Sequence, residues 1–263
     1  MRRLILGLIL VNFVVYAIIF SALNEKRLVS FLDVGQGKAV LIKNKNNIYL
    51  YDTGKYPSLI LREIDKFLPF YSKKIDILFL SHPDKDHYFA AFEILKRYKV
   101  RIIGVSTKQS QDKNYEKLLA LVEKLNIPIL VFRQGSQIYD NHFSFLVLHP
   151  DKDYKKENNE SLVLKIFGKH SYLLTGDIER EAIENLINCC AKFLKADYFL
   201  VPHHGSKYSI DERFYSLVKP LVAVIQVGQN LYGHPHQETL NVLKNFSSVI
   251  WRTDIQKTLI INE

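Results

Sequence analysis

The chain has 263 residues, of which 48% are hydrophobic and 24% charged, with a formal net charge of +9 and a pI near 9.3. This length fits one sizeable α/β domain or two small ones, the sequence contains no low-complexity segment, and its two cysteines, adjacent at 189–190, exclude a disulfide-rich scaffold. The basic balance suits an anionic partner such as nucleic acid, a phosphorylated polymer or acidic lipid, but the lysines are scattered, so a lysine-rich surface without a partner explains them equally well.

Residues 1–23 predict an N-terminal membrane helix. Two arginines at 2–3 precede a run at 4–23 that is apolar except for Asn12 and Ser21, and about 20 apolar residues can span a bilayer. A cleaved secretory signal is the alternative, although bulky side chains crowd the candidate cleavage site at 21–22. The two arginines favour a cytoplasmic N-terminus and therefore an extracytoplasmic remainder, while the basic residues at 26–27 weaken that orientation.

The remaining chain alternates apolar strands with amphipathic helices after a polar joint at 24–27. In the first half the patterns predict strands at 27–34, 39–43, 47–52, 74–80, 100–106 and 127–132, and helices at 58–68, 88–98 and 114–126. In the second half they predict strands at 142–150, 161–168, 170–177, 195–202, 220–228, 248–252 and 257–262, and helices at 178–190, 211–219 and 236–246.

Each half thus begins with strands and continues with strand–helix alternation. This order predicts two sheets packed face to face with helices outside, a four-layer αββα sandwich preceded by the membrane helix. A single doubly wound sheet is the competing α/β fold, and the early group of three strands with a hairpin argues against it.

The stretch SHPDKDHYFAA at 81–91 is the first candidate site. It places His82, Asp84, Asp86 and His87 on the loop that follows a buried strand, at the edge where α/β proteins collect their sites. Imidazole and carboxylate are ligands for zinc, manganese and iron, and the spacing allows one loop to serve two ions. The alternative is a surface loop with ion pairs and an aspartate that caps the next helix.

Two later strand ends carry the same chemistry. LLTGDIE places Asp177 after an apolar strand, and FLVPHHGS places His203 and His204 after another. A bridging carboxylate and further histidines are what a two-metal site needs to hold two like charges about 3.5–4 Å apart.

These motifs resemble the metal motifs of the metallo-β-lactamase fold, and in particular the metallo-β-lactamase-like domain of the ComEC competence proteins. The resemblance covers roughly residues 28–262. It rests on FLDVGQG at 31–37, DTG at 52–54, HPDKDH at 82–87, NESLVL at 159–164, TGD at 175–177 and HHGS at 203–206, in the order of that branch. It implies a hydrolase domain at 28–263.

The resemblance also implies a role for each residue of the site. His82 and Asp84 would hold the first metal and Asp86 and His87 the second. Asp177 would bridge the two, and His204 would complete the second position. His203 would face the substrate or leaving group, so that Asp86 and His203 are the candidate catalytic residues; which of the two adjacent histidines ligates metal stays open.

Five further residues are candidates for supporting the ligands or the substrate. Asn159 stands where many family members have a metal-binding histidine, so it would orient substrate or leave the first metal under-coordinated. Asp33 and Asp52 would fix ligand histidines, or else simply stabilise turns. Ser206 ends the HHGS motif, and His234 would line the cleft or help to cap the helix that follows it.

The chain departs from the branch at two places. Lys38 follows GQG where an acidic residue is usual, and it could meet a phosphate. Residues 89–91, Phe-Ala-Ala, replace a usual pair of glycines, which predicts a differently shaped helix start.

Together these features predict a hydrolase with two divalent metal ions, zinc or manganese, that attacks a phosphodiester through a hydroxide between the ions. The resemblance implies a nuclease that acts on DNA during competence-related uptake, beside a separate channel protein. The alternatives are a membrane-anchored hydrolase of another phosphoester or ester, on the cell wall or in a small molecule, and a non-catalytic binding module.

Overall fold

The computed structural model describes residues 2–23, 26–68, 73–247 and 249–263, and within the N-terminal helix it describes the side chains of residues 6–16 only. Its helices are α1 (Arg2–Leu23), α2 (Pro57–Ile64), α3 (Lys85–Tyr88), α4 (Ala91–Arg97), α5 (Lys113–Lys124), α6 (Arg180–Leu194), α7 (Glu212–Val218), α8 (Gln237–Phe246) and α9 (Thr253–Gln256).

The first sheet has the strand order β14-β1-β2-β3-β4-β5-β6. The strands β1, β2 and β3 form an antiparallel meander, and β3 to β6 run parallel. The strands are β1 (Arg27–Phe31), β2 (Val40–Asn44), β3 (Asn47–Tyr51), β4 (Lys74–Leu80), β5 (Lys99–Val105), β6 (Ile129–Val131) and β14 (Leu259–Asn262).

The second sheet has the order β13-β12-β11-β10-β9-β8-β7, with an antiparallel part from β7 to β10 and a parallel part from β10 to β13. Its strands are β7 (Gln137–Tyr139), β8 (Ser144–His149), β9 (Val163–Phe167), β10 (Ser171–Leu174), β11 (Tyr198–Leu200), β12 (Val222–Ile225) and β13 (Val249–Arg252).

Three apolar layers hold these elements together. Between the sheets, Phe79 of β4 packs in one cluster with Tyr172 of β10 and Leu200 of β11. The neighbouring residue Leu78 points the other way, because side chains alternate along a strand, and joins the cluster beneath α2, α4 and α5. A third cluster packs α6, α7 and α8 on the outer face of the second sheet. The predicted arrangement of two facing sheets with helices outside is confirmed.

The helix predicted at 88–98 is observed as the shorter α4 (Ala91–Arg97), and a separate helical turn, α3 (Lys85–Tyr88), precedes it, so that Asp86 and His87 lie on this turn and not on a loop as predicted. In a continuous helix the carbonyl of Asp86 would accept from the N–H of Ala90. Here the Asp86 carbonyl accepts from the Lys38 N–H at 3.1 Å, and the Ala90 N–H donates to the Gly54 carbonyl at 3.1 Å. These two long-range hydrogen bonds attach the break to the loops after β1 and β3.

No helix within the described part of the chain is long and apolar enough to cross a membrane. Part of the anchor predicted at 1–23, namely residue 1 and the side chains of residues 2–5 and 17–23, lies outside the described residues, as do residues 24–25 of the predicted joint. The anchor therefore stays a prediction.

Candidate metal centre

The candidate site lies where the carboxyl ends of four strands meet. Asp52 follows β3 and His82 follows β4, two parallel neighbours in the first sheet. Asp177 follows β10 and His204 follows β11, two parallel neighbours in the second sheet. Because the sheets pack face to face, their strand ends bring residues that are far apart in sequence to one edge of the sandwich.

Six of the predicted ligands approach one another at this edge. The Nε2 atom of His82 lies 3.4 Å from Asp84 Oδ2. Asp177 Oδ2 lies 3.3 Å from His87 Nε2 and 3.4 Å from His204 Nε2. The His204 Nε2 atom is also 3.1 Å from Asp86 Oδ2.

Two groups of donor atoms in this cluster could each hold a metal ion. One consists of His82, His87 and Asp177, the other of Asp86, His87 and His204, and within each group the donor atoms lie within 4.8 Å of one another. The two groups share His87, and Asp84 belongs to neither.

The hydrogen bonds of the three buried imidazoles fit a metal. Within the described residues the Nε2 atoms of His82, His87 and His204 make no hydrogen bond. Their other ring nitrogens are held: His87 Nδ1 by Asp52 Oδ2 at 2.8 Å, His204 Nδ1 by the Gln226 carbonyl at 2.7 Å, and His82 Nδ1 by Ser81 Oγ at 3.0 Å. Donation through Nδ1–H leaves the lone pair on Nε2, the arrangement that metal-binding histidines adopt.

The carboxylates around these rings stay ionised and favour a positive charge between them. Burial opposes ionisation of Asp177, but Lys38 and His87 outweigh it and hold the pKa of Asp177 well below its usual value. Burial likewise opposes protonation of His204, but attraction to Asp177 and Asp86 raises the pKa of His204 to about 9. These groups therefore favour a proton or a metal ion between them.

Asp52 is the main support of this cluster. Its side chain is fully buried and accepts three hydrogen bonds, from the Ser81 N–H at 2.7 Å, the Ser81 hydroxyl at 2.8 Å and the His87 Nδ1–H at 2.8 Å. The contact with His87 is the one predicted for Asp52. The contacts of Ser81 and of the Gln226 carbonyl with the imidazoles were not predicted. Both residues directly follow a strand, β4 and β12, and this position could have indicated them.

Three other predicted residues do not reach the ligands. Asp33 lies near Lys257, with its Oδ2 3.5 Å from the ammonium, and accepts weakly from Gly35 N–H at 3.4 Å, which fits the alternative of a turn-stabilising role. Asn159 is buried and accepts from the Glu179 N–H at 2.9 Å. Ser206 caps a short 3₁₀ turn by accepting from the Tyr208 N–H.

His203 and His204 lie on a turn with positive φ angles of 47° and 53°. This conformation is costly for residues with a side chain and is seen where function needs it. His203 is partly exposed, with its Nε2 4.0 Å from Asp177 Oδ2 and its Nδ1 3.5 Å from Glu179 Oε1. His203 also lowers the pKa of Glu179 to about 2. Glu179 was not predicted from the sequence, although an acidic residue two positions after Asp177 in TGDIE could have indicated it.

An open cleft of about 560 Å³ lies above the cluster. Asp84, Asp86, Asp177, His203 and His204 line it, and so does His234, whose ring centre is 5.3 Å from that of His203. Burial and the neighbouring histidines lower the pKa of His234 to about 4, so its ring is neutral at pH 7. The remaining lining residues are Gln36, Lys55, Tyr56, Lys85, Gln229, Asn230, Leu231 and Tyr232.

Comparison with known proteins gives one family and several relatives. Residues 32–229 match the family model of the metallo-beta-lactamase superfamily. ComE operon protein 3 of Bacillus subtilis is 32% identical over 261 residues, which cover 92% of this chain and 34% of that protein. Recombination protein 2 of Haemophilus influenzae is 30% identical over 263 residues, covering 97% of this chain and 31% of that protein. The metallo-beta-lactamase fold protein YhfI from Bacillus subtilis superposes with a TM-score of 0.61 at 13% identity, over 90% of this chain and 100% of YhfI.

Proposed function

This chain belongs to the metallo-beta-lactamase superfamily, and from that premise we propose that it is a metal-dependent phosphodiesterase that acts on DNA in competence-related uptake. The observation that carries the proposal is the set of buried imidazole Nε2 atoms and ionised carboxylates at the floor of an open cleft. Such a donor set suits divalent zinc or manganese.

Six residues would hold metal, and one of them, Asp86, would also act on the attacking water. Asp86, His87 and His204 would hold one ion, and His82, Asp84 and Asp177 a second. Two ions bound there would supply an activated water and offset the charge that develops on the phosphate.

Two residues face the cleft and would act on the substrate. Asp86, whose side chain is partly exposed, would orient the attacking water by accepting its hydrogen bond. His203 would donate its Nε2 proton to the leaving oxygen, with the Glu179 carboxylate 3.5 Å from Nδ1 on the other side of the ring.

A polyanionic substrate is supported by charge and by the relatives. Lys55 and Lys85 lie on the rim of the cleft, and the chain carries a net charge of +9. The names of the relatives refer to recombination and to the ComE operon, and this chain spans about a third of their length. Action on DNA, and cooperation with a separate channel protein, are therefore our proposals for this chain.

We also propose that the N-terminal helix anchors the protein in a membrane with the hydrolase domain on the extracytoplasmic side. Carbonate-resistant sedimentation of the full chain with membranes, and digestion by protease added outside intact spheroplasts, would support this placement. Recovery in the soluble fraction would contradict it.

The experiment incubates the full chain with single- and double-stranded DNA in manganese, zinc or chelator. The variant Asp86→Ala/His87→Ala removes two ligands, and the matched control Asp153→Ala/His170→Ala changes the same residue types away from the cleft. Metal-dependent cleavage that only the first variant loses would support the proposal. Bound metal without cleavage of DNA would refute the nuclease activity, and hydrolysis of bis-p-nitrophenyl phosphate would then favour another phosphoester.

A further inference from the structure

Lys38 is a buried cation behind the metal centre. Its side chain has no exposed surface, and its Nζ lies 2.9 Å from Asp177 Oδ1. The same ammonium donates to the carbonyls of Gly176 and Val201. It is therefore enclosed in the protein and does not reach a phosphate in the cleft, in contrast to the role that its position in the motif suggested.

This contact divides the two oxygens of Asp177 between different partners. Oδ1 faces Lys38, whereas Oδ2 faces His87 Nε2 at 3.3 Å and His204 Nε2 at 3.4 Å. The shortest contacts of Asp177 with the imidazoles of His87 and His204 are thus made by Oδ2. The ammonium also offsets the negative charge through which Asp177 would attract cations.

The two groups of donor atoms are unequal for a second reason. They share His87, and one Nε2 lone pair binds one ion at a time. If His87 serves the group with Asp86 and His204, the other group keeps only His82 and Asp177, with Asp84 nearby at 3.4 Å from His82 Nε2 but in neither group. Of these, Asp84 is 43% exposed, and Asp177 is the carboxylate paired with Lys38.

Among the described residues, no further histidine, cysteine or carboxylate joins the weaker position. The Oδ1 atom of Asn159, at the place where a family histidine would ligate, accepts from the Glu179 N–H at 2.9 Å and is thereby committed to the loop after β10. The position with Asp86, His87 and His204 in contrast has two imidazoles and a carboxylate of its own.

We propose that this centre holds one divalent ion tightly, at Asp86, His87 and His204, and that the Lys38 ammonium supplies on Asp177 the fixed positive charge that a second ion would otherwise supply. The inference rests on the proposed function, because it takes the site to be a metal centre. In this scheme the two metal positions differ in affinity, and Lys38 is the residue that makes them differ. Lys38 is a positioning residue in this scheme, since it acts on the metals through Asp177.

The test measures metal content and not activity. The full chain, stripped with chelator, is titrated with Mn²⁺ in equilibrium dialysis, and the bound ions are examined by electron paramagnetic resonance, which distinguishes an isolated Mn²⁺ from a coupled pair. Lys38→Met and Lys38→Gln remove the charge, and Lys38→Gln keeps a hydrogen-bond donor. Lys165→Met is the matched control, because Lys165 is also buried but donates to the Lys195 carbonyl away from the cleft.

We expect the unmodified chain to bind one Mn²⁺ with an isolated spectrum and a second at least about tenfold more weakly. Loss of the Lys38 charge should strengthen the second binding step by at least about tenfold, or about 1.4 kcal/mol, and should produce the coupled signal. Lys165→Met should leave both steps unchanged.

Two equally tight ions in the unmodified chain would overturn the inference while leaving the metal-dependent function in place. So would an unchanged second step in a folded Lys38 variant, with folding checked by circular dichroism. No bound ion at any accessible concentration of Mn²⁺ or Zn²⁺ would overturn the proposed function together with the inference. If neither Lys38 variant folds, the stoichiometry and spectrum of the unmodified chain decide the matter.

Discussion

Replacing Asp52 by asparagine should weaken metal binding without exposing the site. The carboxylate accepts three hydrogen bonds, from two donors of Ser81 and from the His87 Nδ1–H. An asparagine offers one acceptor oxygen and an amino group that cannot accept, so at least one of these donors would face an N–H. Because the His87 Nδ1–H then loses its carboxylate, its proton is no longer held on the side away from the metal.

The size of this effect follows from the same contacts. Loss of the partner of a metal-bound histidine typically lowers metal affinity about 10- to 100-fold. Loss of a buried hydrogen bond to a charged group costs about 1.5–3 kcal/mol of stability. We therefore expect Asp52→Asn to fold with a lower melting temperature and to bind Mn²⁺ or Zn²⁺ about 10- to 100-fold more weakly in calorimetric titration.

A matched control separates stability from metal affinity. Asp140 also accepts three hydrogen bonds, from the N–H groups of His142 and Phe143 and from the Tyr49 hydroxyl, but lies away from the cleft. Asp140→Asn should lower stability and leave metal affinity unchanged. A folded Asp52→Asn variant with the metal affinity of the unmodified chain would refute the role assigned to Asp52.

Three further predictions concern the same site. Since attraction to Asp177 raises the pKa of His204 from 6.5 to about 9, protonated His204 contributes up to about 3 kcal/mol of stability to the metal-free protein below pH 6.5. This contribution is lost as the pH rises to 9, so melting curves in chelator should show a decline that His204→Gln abolishes; an equal decline in both proteins would count against it. His203→Gln should lower kcat about 10²-fold or more with metal content unchanged, whereas loss of metal from this variant, measured by mass spectrometry, would make His203 a ligand instead. Gly37→Ala should destabilise the protein by more than Gly135→Ala. Both glycines have positive φ, but only at Gly37 would a Cβ meet a backbone atom, the Asp86 carbonyl oxygen at 2.5 Å; equal losses in urea unfolding would show that the contact is relieved.

Several candidate ligands could be predicted because they follow apolar strands at their carboxyl ends. This local signal points to His82, Asp177 and the pair His203–His204 without knowledge of the rest of the fold, whereas the preference for His204 came from the resemblance. To predict the two facing sheets, it is then enough to know that side chains alternate along a strand between two buried faces.

The supporting contacts could not be predicted in the same way because their partners are distant in sequence. The Lys38 ammonium meets carbonyls 138 and 163 residues later, and nothing in the pattern around GQG indicates whether the side chain points into the protein or into the cleft. The strand β14 likewise pairs with β1 from the opposite end of the chain, with Leu28 opposite Asn262. Local periodicity predicts that both segments are strands but does not predict that they are neighbours.

The charges around the cleft differ between its floor and its rim. This distribution says more about the substrate than the net charge of +9 does. At the floor, Asp86 and Asp177 stay ionised beside buried imidazoles, so the nearest charges favour a cation. Lys55 and Lys85 stand exposed on the rim, where they would meet an incoming polyanion before it reaches the floor. Salt screens exposed charges far more than buried ones, so raised ionic strength should weaken the capture of a polyanion at the rim while leaving the floor's hold on metal largely intact. A uniformly lysine-rich surface would not separate the charges in this way. The position of the two rim lysines above an acidic floor therefore favours a phosphodiester substrate more strongly than the number of lysines in the chain does.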